Sequence, residues 1–177
     1  LTTPSTSGAA TWTGNFNTDW HNPCNWNNNA LPSATSDVTI PDVTNDPTIS
    51  AVAVAKSVTV QSGALLTIAS LGTLTIDGST TQGILNQGTV ENNGAILIGQ
   101  TTTNTRECGI KNEATFHNNT GGQIKIDRSF GSNPCGIFNA SGTFTNVATI
   151  TIGAVASVAA PPTGDARMPP RACSSVG

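Results

Sequence analysis

Four cysteines, two histidines and a scatter of carboxylates are the side chains of this 177-residue chain with chemistry to offer. Cys108 stands before Gly109-Ile110 and Cys135 before Gly136-Ile137, the same place in two copies of one motif. If those copies form adjacent strands about 4.8 Å apart, their Cα atoms fall in the disulfide range of roughly 4.4–6.8 Å. A Cys108–Cys135 bond is therefore expected. A metal pair is not, because no His or carboxylate stands at ligand spacing. Cys24 and Cys173 lie near opposite ends of the sequence. Three readings stay open for them: a bond within the chain, which needs the tail to fold back along the body, a bond between copies of the chain, or two free thiols.

Cleavage of a polysaccharide needs two carboxylates on one surface. The candidates are Asp77, Glu91, Glu107, Glu113 and Asp127, and none belongs to a compact Asp-x-Asp cluster. Arg106, Glu107, Asp127 and Arg128 read as a solvated salt-bridge group. His21 and His117 stand among Asn, Trp and Phe, in structural rather than catalytic company. The sequence thus predicts no catalytic residue and no resident cofactor, with one exception to weigh. Asp37, Asp42 and Asp46, near Asn45, offer oxygens of the kind calcium takes, although their spacing matches no specific loop. Trp12, Trp20 and Trp26 are all the tryptophans there are. They form either an aromatic platform for a carbohydrate or the core of a cap.

Charge narrows the partners. Only 10% of residues are charged and the net charge is −3, so the basic patch of a nucleic-acid binder is missing. No apolar run approaches the roughly 20 residues of a membrane span. A Thr/Asn/Ser-rich, Lys-poor chain with paired cysteines suits an extracellular setting, and its start at Leu1 suggests a processed form or a fragment. Asn118-Asn119-Thr120 and Asn139-Ala140-Ser141 are glycosylation sequons, but asparagine ladders between repeats give both leading asparagines another task.

The elements that must position these residues announce themselves by repetition. Gly83-Ile84-Leu85-Asn86 recurs as Gly109-Ile110-Lys111-Asn112 and Gly136-Ile137-Phe138-Asn139, after 109 − 83 = 26 and 136 − 109 = 27 residues. A period of that size, built of short β-branched runs, is the signature of a solenoid. Triplets such as Val58-Thr59-Val60, Leu66-Thr67-Ile68, Leu74-Thr75-Ile76 and Ile124-Lys125-Ile126 follow an in–out–in code, with glycines at the corners. Laid over one another, the coils stack Val58, Ile84, Ile110 and Ile137 in one column. Val90, Phe116 and Phe144 fall in a second, and Ile76, Ile98, Ile126 and Ile152 in a third. Asn86, Asn112 and Asn139 become an asparagine ladder, as do Asn92, Asn118 and Asn146; such amides hydrogen-bond along the axis. The expected fold is an all-β parallel β-helix. Residues 1–10 read as a polar leader, 11–41 as an N-terminal Trp/Asn-rich cap, 42–156 as the coils and 157–177 as a Pro-rich tail.

The opening Thr11-Trp12-Thr13-Gly14, Asp19-Trp20-His21-Asn22-Pro23-Cys24-Asn25-Trp26, Leu31-Pro32 and Asp37-Val38-Thr39-Ile40-Pro41 leads into Gly63-Ala64-Leu65-Leu66-Thr67-Ile68. It resembles the start of the secreted, adhesin-like parallel β-helix proteins of the Bacteroidetes. The resemblance implies a right-handed solenoid, exported to the bacterial cell surface or released, with no shared catalytic motif. The expected function is that of a non-catalytic extracellular structural protein, a self-associating subunit of a fibre whose partners are other copies of itself. The alternative is a monomeric adhesin or carbohydrate-binding module, with surface polysaccharide as partner. A polysaccharide-active enzyme ranks behind both.

Overall fold

The computed structural model describes residues 8–79, 81–100, 108–127 and 135–153. It is a parallel β-solenoid of five coils, with three strands to each coil. A short lead-in strand β1 (Ala10–Thr11) precedes the cap. The first coil holds β2 (Asp37–Ile40), β3 (Thr48–Ile49) and β4 (Val52–Ala55). The second holds β5 (Ser57–Val60), β6 (Leu65–Ile68) and β7 (Thr73–Ile76), and the third β8 (Gln82–Asn86), β9 (Thr89–Asn92) and β10 (Ala95–Ile98). The fourth is β11 (Cys108–Asn112), β12 (Thr115–Asn118) and β13 (Gln123–Ile126), and the fifth β14 (Cys135–Asn139), β15 (Thr143–Asn146) and β16 (Thr149–Ile152).

Each strand pairs with its equivalent one coil away, giving three parallel sheets ordered β1-β2-β5-β8-β11-β14, β3-β6-β9-β12-β15 and β4-β7-β10-β13-β16. The register is the one the repeats predict. Ile84 lies opposite Ile110 and Ile110 opposite Ile137; Val90, Phe116 and Phe144 follow one another, as do Ile98, Ile126 and Ile152. In β5, β6, β7, β9 and β10 the second and fourth residues are buried while the first and third are partly exposed. One face of every strand therefore turns into a single continuous core. Phe116 and Phe144 stack with centroids 4.9 Å apart. The extra residue of the last repeat is absorbed before β15. There Ala140 N and Ser141 N both donate to Asn112 O, and Gly142 turns at φ +83°.

The N-terminal boundaries need correction. The sequence boundaries place β2 in the cap and Ala10 in the leader, yet both belong to the first sheet, through the pairs Ala10–Val38 and Asp37–Ser57. The cap proper lies between β1 and β2. Its centre is the tryptophan cluster: Trp12, Trp20 and Trp26 are 0%, 1% and 2% exposed. Trp26 meets both other rings edge to face, at 5.1 and 4.7 Å. Trp12 Nε1 donates to Asn45 O and Trp26 Nε1 to Trp20 O, so neither indole N–H is stranded on burial. A 3-10 turn at Pro23–Asn25 sets Asn25 inside, where its side chain accepts from Phe16 N and Asn17 N and donates to Asn17 Oδ1 and Asp19 O. The proposed aromatic platform is thereby overturned: the rings are the core of the lid and present no face to a sugar. The Pro-rich tail 157–177, Cys173 and all of the leader except its last three residues lie outside the described residues.

Candidate functional site

Cys108 and Cys135 face each other across β11 and β14, Cα to Cα 4.7 Å apart, and are joined by a disulfide. The bond ties the fifth coil to the fourth. Cys24 is exposed in the cap as a free cysteine.

The asparagine ladders run along the same axis. Asn86 Nδ2 donates to Asn112 Oδ1 at 2.7 Å and Asn112 Nδ2 to Asn139 Oδ1 at 2.8 Å. The parallel series runs from Asn92 to Asn118 and from Asn118 to Asn146, both at 2.7 Å. Asn86, Asn92, Asn112 and Asn118 are buried, and each also donates to a backbone carbonyl. Every amide thus meets its polar demand inside an otherwise apolar core. Asn139 and Asn146 end the series, each turning its amide to a local carbonyl of its own coil.

Outside the core, the charged side chains pair within or between coils. Lys56 bonds Asp37, Lys111 bonds Glu113, and Lys125 bonds both Asp127 and Gln100 Oε1. Of the expected Arg106, Glu107, Asp127 and Arg128 group, Asp127 is the member that the described residues contain. The three candidate calcium carboxylates do not converge. Asp37 is taken by Lys56 and Ser57, and Asp46 accepts from Leu65 N. Among the described residues no three His, Cys, Asp or Glu side chains form a metal-binding group.

One constellation was missed in the sequence. Glu91, His117 and Thr145 follow Val90, Phe116 and Phe144, so the register stacks them in one outward column. His117 Nδ1 lies 2.6 Å from Thr145 Oγ1, and its Nε2 lies 3.9 Å from Glu91 Oε1. The order hydroxyl–imidazole–carboxylate is that of a hydrolytic triad. Here the second contact is too long for a hydrogen bond, and Glu91 instead accepts from Asn119 Nδ2 at 2.7 Å. The N–H groups of Thr143 and Val147 are spent on Ala114 O and Asn118 O, so they are not available as oxyanion donors. The column can hold neighbouring coils together through side chains. His21 also has a structural partner, with Nε2 2.9 Å from Val52 O.

The two ends of the solenoid differ. At the first coil, Thr11 N donates to Asn27 Oδ1 and Asn27 N to Thr11 O, which closes the outer edge of β1. Thr48 N donates to Thr18 O and Trp20 N to Thr48 O, which closes β3. The edge of β4 is met by His21 at Val52 O. At the fifth coil, Thr143, Val147, Thr149 and Gly153 send their N–H groups back to the fourth. Strand alternation then points the backbone groups of Phe144, Asn146, Ile150 and Ile152 outward along the axis. β14, β15 and β16 are the terminal strands of all three sheets. Ile137, Phe144 and Ile150 reach the end of the core only partly buried, and Phe138, Val147 and Ile152 are exposed.

No curated protein and no solved structure matches the chain. The model of a family described as a domain of unknown function matches residues 11–146. That span begins in β1, takes in the whole tryptophan lid and ends at Asn146, the last rung of the second ladder. The chain, cap and coils together, belongs to the family of the domain of unknown function DUF8693.

Proposed function

We propose that this protein is a non-catalytic extracellular structural subunit, which associates with other copies through its open last coil. One observation carries the reading: three strand edges end the solenoid together, and among the described residues nothing covers them. Natural edge strands are guarded by charge, proline, bulges or a covering segment. Residues 135–153 contain no Asp, Glu, Lys, Arg, His or Pro, so two such edges meet without charge repulsion. The inter-coil disulfide supports an oxidising compartment. The adhesin alternative loses its aromatic platform to the lid, and the candidate triad lacks its second hydrogen bond.

The test is the mass of the full chain in solution across a dilution series, beside Ile152→Lys. Ile152 is 53% exposed at the end of the core, so a lysine there charges the edge at little cost to the fold. The wild type is expected to exceed its 18.0 kDa monomer, and the variant to stay at it with an unchanged circular dichroism spectrum. A wild-type chain that is monomeric throughout would sink the reading.

A further inference from the structure

The sealed first coil decides how copies can meet. A head-to-tail fibre, as expected from the sequence, needs each last coil to add its strands to the first coil of the next copy. Two of the three first-coil edges already hold backbone hydrogen bonds to the cap: β1 with Asn27, and β3 with Thr18 and Trp20. Displacing the cap would also expose three buried tryptophans, each worth several kcal/mol of burial. Among the described residues, the edges of β14, β15 and β16 are the ones that end all three sheets unguarded.

We propose, resting on the self-association reading above, that two copies join last coil to last coil about a two-fold axis across the solenoid. The partner is thus a second copy of this chain, and the contact is isologous and closed, not an open filament. A two-fold across the axis reverses strand direction, so the facing edges pair antiparallel. The outward backbone groups of Phe144, Asn146, Ile150 and Ile152 supply the alternating donors and acceptors such a ladder needs. One of the three faces then meets its own counterpart and the other two meet each other, so that the apolar ends Ile137, Phe144 and Ile150 of the two copies cover one another. The product is a double-length rod with a tryptophan lid at each end.

Spin-label distances separate this arrangement from a fibre. One label is placed on the native Cys24 in a Cys173→Ser chain. The other is placed on Val147→Cys in a Cys24→Ser, Cys173→Ser chain, with the Cys108–Cys135 disulfide kept in both. Four coil steps of about 4.8 Å separate the first coil from the fifth. In the two-fold pair, the axial separation of the Cys24 labels exceeds that of the Val147 labels by about 40 Å, twice that span, and the Cys24 distance is much the longer. Copies related by translation give one and the same spacing at both positions, and that result would overturn the proposal while leaving self-association standing. Absence of coupling at both positions, with a monomeric mass, would overturn both. The unlabelled chain guards against a label at Val147 that itself blocks pairing. Its mass is expected to level off at twice the monomer; growth without limit contradicts the pair.

Discussion

Asn112 Nδ2 donates to Oδ1 of Asn139 one coil on, while Asn112 Oδ1 accepts from Asn86 one coil back. The middle amide is therefore shared in both directions, and the end amide in one. Removing Asn112 strands a donor on Asn86 and an acceptor on Asn139, each costing about 1–3 kcal/mol where buried. Asn112→Ala is expected to lower unfolding stability by about 2–4 kcal/mol. Asn139→Ala, in the exposed last coil, should lower it by about 1 kcal/mol or less. Urea unfolding of both variants measures the difference, and equal losses would mean the ladder does not act as a chain of shared bonds.

The Cys108–Cys135 bond has a separable effect. It closes a loop across 27 residues, for which chain entropy gives about 3.5 kcal/mol of stabilisation. Cys108→Ser with Cys135→Ser is expected to lose up to about that much. The loss should concentrate in the last coil, because among the described residues that coil pairs with its own chain on one side only. Hydrogen exchange should show amides of β14–β16 losing protection before those of β5–β9. Uniform loss along the solenoid would show that the bond acts on the whole chain alike.

How far the sequence reached follows from its periodicity. From β5 to β14 the motif recurs at offsets of 26 and 27, which made the first column, the first ladder and the cysteine pairing legible; the other columns and the second ladder followed from the apolar triplets and asparagines beside them, although their steps vary. The step from Val38 to Val58 is only 58 − 38 = 20 residues, so the first coil does not share the repeat. β4 was missed for a further reason: it inverts the size code, turning Ala53 and Ala55 inward and Val52 out. The lid's fate depended on burial, which Trp and Asn types alone do not decide. The Glu91–His117–Thr145 column could have been found by carrying the register one residue past the apolar column.

The glycine that opens each repeat has a packing reason. A Cβ on Gly109 would stand 2.6 Å from Gly136 O and 2.6 Å from Ile126 Cγ2, and one on Gly83 2.7 Å from Gly109 O. The coils approach too closely there for any side chain. On Gly136 the first obstacles are atoms of Ile152, a side chain at the exposed end of the core. Gly109→Ala is thus expected to cost about 2–3 kcal/mol, as for overpacking against backbone. Gly136→Ala should cost clearly less, because Ile152 can turn aside. Thermal unfolding of the two variants checks the order, and a reversed order would contradict the close-approach account.

Acid should act on Asp37 in a direction that its partners fix. Burial of the carboxyl raises its pKa, but the Ser57 hydroxyl, the Lys56 hydrogen bond and the Lys56 charge outweigh it, leaving Asp37 below its ordinary value of 3.8. A group depressed on folding contributes stability above its unfolded pKa and loses it as pH falls through the folded one. The Asp37 carboxylate thus helps to hold β2 to β5 at neutral pH and ceases to do so in strong acid. Its side chain is half exposed, so water and salt screen the pair and its contribution stays within about 1 kcal/mol. Asp37→Asn should be slightly less stable than the wild type at pH 7. The gap should narrow as pH falls below 3.8 and shrink with added salt. Unfolding midpoints of both proteins across that range provide the check. A gap that stays constant into strong acid would mean that Asp37 acts there by shape and hydrogen bonding, not by charge.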